Sequence, residues 1–164
     1  MEFLNNLADL DIKAVMIHGR SMAQGQGGPV DWKTIKQARP LVKGILLANG
    51  GVRNVEEAVA LLKKTGADGI GIGQGALGRP WIFEQLKIKN YELQIKNTEE
   101  KSKREIFKVM LKHAVLANKL KSEQGIIEMR KHLCWYVSGL PDASALRQKL
   151  IKAESIDDLK RVLK

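Results

Sequence analysis

The chain has 164 residues, of which 44% are hydrophobic and 28% charged, a composition typical of a folded protein that excludes extensive intrinsic disorder. No apolar run reaches the roughly 18 residues of a membrane helix, and the first dozen residues carry acids where a secretion signal needs bases. The single cysteine, Cys134, excludes an internal disulfide and a cysteine-only zinc site. We therefore expect a cytoplasmic protein that binds neither membrane nor metal.

The excess of basic residues lies mostly in the second half of the chain. The formal net charge is +10. Residues 1–82 hold 10 basic and 7 acidic side chains, whereas residues 83–164 hold 18 and 11. Such a basic segment predicts a polyanionic partner, with nucleic acid favoured over a membrane surface. A well-solvated helical surface is the alternative.

Three strand–helix units are predicted in the first half, with strands over 13–17, 44–48 and 69–73. Asp31 is a typical N-cap for the first helix, which Pro40 stops. This alternation is typical of a parallel α/β fold. Because three parallel strands alone would leave two unpaired edges and little cover, we expect this half to be the last part of a larger α/β domain.

The second and third helices carry their own boundary signals. Asn54 with Glu57 three residues later predicts a capped start for the second helix, and Gly66 predicts its end. Pro80 predicts the start of a short third helix over 81–87.

The second half predicts a small helical bundle after a linker at Lys87–Asn97. Helices are predicted over 101–121, 124–138, 142–151 and 155–163. The first of them has an apolar face made of Ile106, Met110, His113, Ala117 and Leu120. Another face of that helix is cationic and consists of Lys101, Arg104, Lys108, Lys112 and Lys119.

Two glycine-rich turns follow the second and third predicted strands. They read Ala-Asn-Gly-Gly over 48–51 and Gly-Gln-Gly-Ala over 73–76. Glycines let backbone N–H groups approach an anion, and the following helix N-terminus adds partial positive charge. Because the loops after strands seven and eight of (β/α)8 barrels often bind phosphate, the two turns together predict a phosphate site. Tight turns without a ligand are the alternative.

His18 ends the first predicted strand and is followed by Gly19 and Arg20. A histidine at the carboxyl end of a strand points to the usual mouth of an α/β active site, although a structural histidine is equally expected. Residues 21–29 are predicted to form a flexible loop over this mouth.

Residues 128–136 place basic and aromatic side chains on one predicted helix. Arg130 and Lys131 suit RNA phosphates and are expected outside the core. For the aromatic residues, core packing is favoured over base stacking. The expected core residues here are Leu133, Trp135 and Val137. Cys134 has no base or metal ligand at a suitable spacing and is interpreted as a small buried residue.

Three segments of the chain carry a family resemblance. They are IHGRSMAQGQGGPVDW, LLANGGVRNVEEAVALLKKTGADGIGIGQGALGRPWIF and EMRKHLCWYVSGLPDASALRQKL, in that order. Together they resemble the bacterial tRNA-dihydrouridine synthases of the DusB type, from about Lys13 to the end of the chain. Similar phosphate turns occur in other flavin barrels, but the appended helical segment does not.

The resemblance implies an FMN-binding TIM (β/α)8 barrel followed by a helical tRNA-binding domain. Residues 1–87 would be the C-terminal part of the barrel, strands six to eight, and residues 88–164 the helical domain. The implied activity is reduction of uridine to 5,6-dihydrouridine in tRNA, with FMN as cofactor and NADPH as reductant. The family's catalytic cysteine belongs to the first part of the barrel, so this fragment has no catalytic residue of its own and is expected to be inactive alone.

The resemblance also assigns residues of the site. The cofactor-binding residues that it implies are His18, Asn49, Gly50, Gly51, Gly73 and Gln74. Gln74 stands where the family has arginine, so it keeps a hydrogen-bond donor but loses the charge that pairs with phosphate. The expected contacts to tRNA are Arg20, Lys101, Arg104, Lys108, Lys112, Arg130 and Lys131.

Two other interpretations remain. The chain can be a non-catalytic tRNA-binding fragment that lacks the N-terminal half of the barrel, with that half as a possible partner. It can also be an unrelated flavin or sugar-phosphate barrel enzyme, which would leave the helix containing Met-Arg-Lys-His unexplained.

Overall fold

A computed structural model describes residues 1–7, 9–25, 27–89, 92–95 and 100–164; for 87–89 and 92–95 it describes the backbone. The chain divides into two compact units. Unit 1 consists of Met1–Ala76 with Trp81–Thr98, and unit 2 of Leu77–Pro80 with Glu99–Lys164. The expected domain boundary was at 87–88.

Unit 1 contains a small parallel sheet with helices. Its elements are α1 (Glu2–Asn6), β1 (Ala14–His18), α2 (Trp32–Ala38), β2 (Ile45–Asn49), α3 (Val55–Thr65), β3 (Gly69–Gly71), α4 (Ile82–Gln85), β4 (Leu86–Lys89) and β5 (Glu92–Ile95). The strand order is β1-β2-β3, and both pairings are parallel. The three predicted strands are thereby confirmed, as is the coarse α/β class of this half.

The predicted helix boundaries of α2 and α3 are confirmed by their caps. The Asp31 carboxylate accepts from the Thr34 backbone N–H at 3.0 Å. The Asn54 side-chain oxygen accepts from Glu57 N–H at 2.8 Å. Glu57 in turn accepts from the N–H of Arg53, one residue before the cap, at 2.7 Å. Gly66 ends α3 in the left-handed conformation, with φ +68°.

One face of the sheet is covered and the other is not. The residues of the covered face and its helices form the core: Ile35, Val42, Leu46, Ala48, Val52, Ala58 and Leu61. Strand residues of opposite parity face the other side, where Met16 and Ile45 are about half exposed, at 53% and 52%. Among the described residues, this second face therefore lacks the cover that parallel sheets normally have.

An ion pair fixes the amino-terminal end of the sheet. The Asp68 carboxylate, just before β3, accepts from Leu46 N–H of β2 at 2.8 Å and from the Arg39 guanidinium. Arg39 also donates to the backbone oxygens of Val42 and Gly44. The Leu46 N–H and, after it, the Arg39 charge hold the pKa of Asp68 below its ordinary value. The pair therefore ties the end of α2 to β2 and β3.

The region expected to be a linker is mostly an antiparallel strand pair. β4 pairs with β5 from Leu86–Ile95 to Lys89–Glu92, so the predicted helix over 81–87 is wrong beyond Gln85. The missed signal is the alternation of apolar and charged residues in Leu-Lys-Ile-Lys, which has the period of a strand. Residues 90, 91, 96 and 97 of the expected linker lie outside the described residues.

Unit 2 is helical. Its helices are α5 (Lys103–Tyr136), α6 (Ala143–Leu150) and α7 (Ile156–Val162). α5 is interrupted at Ser122, which has φ 51° and ψ −144°. We call 103–121 the first arm and 123–136 the second arm, and they match the two helices predicted from the sequence. Ser102 and Ser155 form capping boxes with Glu105 and Asp158.

The two arms of α5 lie against each other. A side chain at Gly125 would place its Cβ 2.3 Å from the Ala117 oxygen, so the backbones touch at this point. The buried residues of the first arm are Ile106, Met110 and Ala114. The predicted apolar face is therefore only partly right, because His113 is exposed and Leu120 is 82% exposed. The stripe of residues that the first arm buries against the second arm therefore differs from the predicted apolar face.

The short segment Leu77–Pro80 packs in unit 2. Gly78 has φ +70°, and a Cβ on it would lie 2.4 Å from the Trp135 carbonyl. Glycine is required here for both reasons. No helix within the described part of the chain is long and apolar enough to span a membrane.

Gly125→Ala tests the contact between the arms. We expect a loss of about 1–3 kcal/mol in the free energy of unfolding, the range for overpacking a closed interface. Ser122→Gly should act in the opposite direction, because φ 51° with ψ −144° is a region that glycine adopts without strain. Urea denaturation followed by helical circular dichroism measures both. An unchanged midpoint for Gly125→Ala would mean that the arms do not touch.

Candidate functional site

Three residues lie side by side in one row at the carboxyl edge of the sheet, where the strands end. His18 pairs in register with Asn49, and Asn49 with Gly71. The Asn49 amide nitrogen lies 3.5 Å from the Met16 sulfur. A Cβ on Gly71 would lie 3.2 Å from both of these side chains, so glycine here leaves room for them. The row forms one end of the uncovered sheet face.

The turn after β2 lies beside His18. Gly50 and Gly51 have φ +121° and +74°, a conformation that favours glycine. A Cβ on Gly50 would be 3.4 Å from the His18 ring, and one on Gly51 would be 2.7 Å from Val30. The predicted phosphate turn therefore has a conformation and a packing on Val30 that require glycine, with an imidazole next to it.

Arg20 lies at the same turn. Its Nε donates to the Gly28 oxygen at 3.0 Å, and its Nη2 is 3.9 Å from the position of a Cβ on Gly51. Arg20 is an expected tRNA contact, whereas the geometry places its charge beside Gly51, one of the residues expected to bind the cofactor. Ser21 and Gln24 form a capping box in the loop that follows, so part of the predicted flexible loop 21–29 has local order. Gln26 of that loop lies outside the described residues.

The turn after β3 packs against the turn after β2. Gly73 has open space around it, and residues Gln74–Ala76 form a short 3₁₀ turn. A Cβ on Gly75 would lie 2.6 Å from the Val52 oxygen and 3.1 Å from the Arg53 Cα. The two glycine-rich turns therefore meet, as a joint anion site requires. Sequence reasoning passed over Arg53, an exposed cation directly before the α3 cap.

The first arm of α5 carries an exposed row of cations in unit 2. Arg104, Lys108 and Lys112 follow one another at four-residue intervals and are all exposed. Lys101 precedes the helix and is not part of the row. The one acid between 101 and 121, Glu105, caps the helix through Ser102. We call Arg104, Lys108 and Lys112 the basic face.

Arg130 differs from the surface cation that the sequence predicted. Its Nε donates to the Ala153 backbone oxygen at 2.9 Å, and its Nη2 lies 3.5 Å from Glu154. Its side chain is only 28% exposed. Arg130 therefore joins α5 to the segment between α6 and α7, and it lies outside the buried core as expected. Lys131, its neighbour, is exposed.

The aromatic residues of the second arm also differ from expectation. Leu133 and Val137 are buried as predicted, but Trp135 is 36% exposed and does not fill the core. Cys134 is half-buried, and burial raises the pKa of its thiol. No group of three or more His, Cys, Asp and Glu side chains in the described ranges is arranged to hold a metal ion.

Two histidines meet across the arms of α5. His113 of the first arm lies 5.9 Å from His132 between ring centroids, and its Nδ1 is 3.2 Å from the Tyr136 hydroxyl. The His132 ring is 4.9 Å from the Trp135 ring in an edge-to-face arrangement. Partial burial, followed by the nearby His113 and Lys131, lowers the pKa of His132 below 6.5.

Arg130→Ala and Lys131→Ala form a matched pair of variants. We expect Arg130→Ala to lower the free energy of unfolding by about 1–2 kcal/mol, because the Ala153 oxygen loses its donor. Lys131→Ala should leave it within about 0.5 kcal/mol, as is usual for an exposed site. Thermal and urea unfolding measure both variants. Equal stability of the two would show that the Arg130 contacts do not support the fold.

The lowered pKa of His132 predicts that the stability of the chain depends on pH. Its pKa is lower in the folded chain than in the unfolded one, so the unfolded chain takes up the proton first as the pH falls. Unfolding free energy should therefore drop between about pH 7 and about pH 5, before the carboxylates titrate. His132→Gln should flatten this slope in urea titrations at several pH values. A slope that persists in the variant would assign the effect to another group.

Comparison with known proteins gives one consistent family. The family model described as dihydrouridine synthase (Dus) matches residues 1–164. The chain is 32% identical to a probable tRNA-dihydrouridine synthase 1 of Synechocystis sp., an alignment that covers 99% of this chain and 45% of the relative. It is 36% identical to a probable tRNA-dihydrouridine synthase of Rickettsia bellii, over 83% of this chain and 41% of the relative.

A third relative is the tRNA-dihydrouridine synthase B of Pseudomonas syringae pv. tomato, which is 33% identical over 89% of this chain and 43% of the relative. The chain thus spans less than half the length of these curated relatives. The resemblance inferred from the sequence motifs is confirmed, because the match extends over the sheet, both glycine-rich turns and α5. This chain belongs to the dihydrouridine synthase family.

Proposed function

We propose that the chain is the carboxyl-terminal portion of a tRNA-dihydrouridine synthase. Unit 1 contributes strands six to eight of an FMN-binding TIM (β/α)8 barrel, and unit 2 binds tRNA. The observation that carries the proposal is the row of His18, Asn49 and Gly71, with two glycine-rich turns packed together at the same edge. Barrel enzymes of this architecture place their sites at that edge.

The uncovered sheet face supports the proposed barrel. In such a barrel one face of each strand points to the interior, and the other packs against the outer helices. Here α2 and α3 cover one face, while Met16 and Ile45 of the other are about half exposed. The relatives are more than twice as long as this chain. A polypeptide corresponding to their first half is therefore the proposed partner that closes the barrel on β1.

The residues at the carboxyl edge fit the phosphate end of FMN. Backbone N–H groups of Gly50, Gly51 and Gly73 are the proposed phosphate donors, and His18 and Asn49 are the proposed contacts to the flavin ring. FMN, when bound, supplies hydride transfer to the uracil ring, with NADPH as the reductant. Gln74 brings no charge to the phosphate. Arg20, beside Gly51, is placed to supply the positive charge instead.

The proton donor of the reaction is not provided by this chain. The one cysteine of the sequence, Cys134, lies on α5 in unit 2, and its raised thiol pKa opposes reactivity. We therefore propose that the catalytic cysteine comes with the first half of the barrel. The role of unit 1 is to hold the cofactor, and that of unit 2 is to hold the tRNA backbone. A cytoplasmic location follows from such a substrate.

A non-catalytic tRNA-binding fragment is the second candidate. It is favoured by the basic face, which belongs entirely to unit 2 and does not depend on closure of the barrel. Phosphate contacts supply much of the affinity for nucleic acid, so such a unit can bind tRNA without catalysis.

The activity assay separates the two candidates. We expect no dihydrouridine when the 164-residue chain alone is incubated with tRNA, FMN and NADPH, since unit 1 has no cysteine. Adding the first half of the Synechocystis relative as a separate polypeptide should restore formation of dihydrouridine, measured by mass spectrometry of digested tRNA. The intact relative is the positive control. Product formed by the chain alone would contradict the proposal, and failure of the mixture would favour the fragment.

The basic face predicts salt-dependent binding of tRNA. The triple variant Arg104→Ala, Lys108→Ala, Lys112→Ala should weaken binding and lower the slope of log affinity against log salt by up to about three. A matched triple, Lys149→Ala, Lys152→Ala, Lys160→Ala, removes the same charge from the α6–α7 region and should have a smaller effect. Fluorescence anisotropy at several salt concentrations measures both. Equal losses would mean that only the net charge matters.

A further inference from the structure

Three rings form an exposed patch on α5. His113 from the first arm and His132 and Trp135 from the second arm are neighbours, with centroid distances of 5.9 Å and 4.9 Å. Trp135 is 36% exposed, His113 is exposed and His132 is half-buried. We call these three residues the ring patch.

The ring patch is supported from beneath. The buried Tyr136 places its hydroxyl 3.2 Å from His113 Nδ1, which fixes the orientation of that ring. The backbone of Trp135 is held by the close approach of Gly78. Leu133, two residues before Trp135 on the same arm, is fully buried. The patch is therefore organised before any ligand arrives, which lowers the entropic cost of binding.

The charge around the ring patch is positive. Lys131 lies close enough to His132 to help lower the pKa of that imidazole. Lys112, the last member of the basic face, directly precedes His113 in the sequence. The nearest acidic residue on the second arm, Glu128, forms an ion pair with Lys121, with 2.5 Å between the Lys121 Nζ and a carboxylate oxygen. Aromatic faces next to cations suit an unpaired nucleotide, whose base stacks on the ring while its phosphates meet the cations.

We propose that the ring patch stacks an unpaired base of RNA, while Lys131 contacts a flanking phosphate. The proposal rests on the tRNA binding assigned above to unit 2. The basic face accounts only for contacts to the RNA backbone. The ring patch adds a contact to a base, centred on Trp135. The ligand class is thus RNA with an unpaired base, in preference to a continuous duplex.

Binding of the full chain to three RNAs tests the proposal. The probes are tRNA, a single-stranded oligouridine and a blunt duplex RNA, each fluorescently labelled. Trp135→Ala should weaken binding of the first two by about 5- to 100-fold, the loss expected for one base–aromatic stack, and leave the duplex unchanged. The salt slope should not change, because no phosphate contact is removed. Trp135→Phe should retain most of the affinity.

Leu120→Ala is the control, because Leu120 is another exposed apolar residue of α5, and it should bind all three RNAs like the unaltered chain. If Trp135→Ala binds tRNA normally while the basic-face triple variant is weakened, the ring patch proposal is overturned and tRNA binding stands. Equal losses on all three RNAs would make the role of Trp135 structural and also overturn it. If the unaltered chain binds no tRNA, the proposed function of unit 2 fails, and the ring patch proposal with it.

Discussion

The in-register parallel pairing of three short strands is the constraint on which unit 1 depends. Because Ala14 pairs with Ile45 and Leu47 with Gly69, the strands end together, and whatever follows them meets at one edge. The ion pair of Arg39 and Asp68 holds the amino-terminal end of the sheet, where the Asp68 carboxylate also accepts from the Leu46 N–H. A shift of one residue would turn each side chain to the other face. The position of His18 beside Gly50 is therefore a property of the register.

Features set by local chemistry could be predicted from the sequence. Asp31, Asn54 and Gly66 act within a few residues of their own positions, and each behaves as its type predicts. The break between the arms of α5 was also predicted at its place. The glycine-rich turns were recognised because glycine at the end of a strand has few other uses. The sequence pattern and the family resemblance both predicted a phosphate site at this edge of the sheet.

Features set by distant contacts could not be predicted. Arg130 is a structural residue because Ala153, 23 positions later, offers it a carbonyl. Helical periodicity predicts on which side of its helix Trp135 lies. Whether that side is covered depends on how the other arm of α5 packs against it. The β4–β5 pair was missed for a related reason, since a strand of four residues has little signal without its partner. In each case the deciding group lies far along the chain.

The place of Leu77–Pro80 in unit 2 bears on how the two units can be separated. The chain leaves unit 1 after Ala76, contributes four residues to unit 2, returns at Trp81, and leaves again after Thr98. Cleavage between residues 98 and 99 would therefore release a helical piece without Gly78, whose backbone packs against Trp135. Unit 2 is discontinuous in sequence, so deletion of either unit at a single point damages both. Dissection of this protein needs point variants in the intact chain.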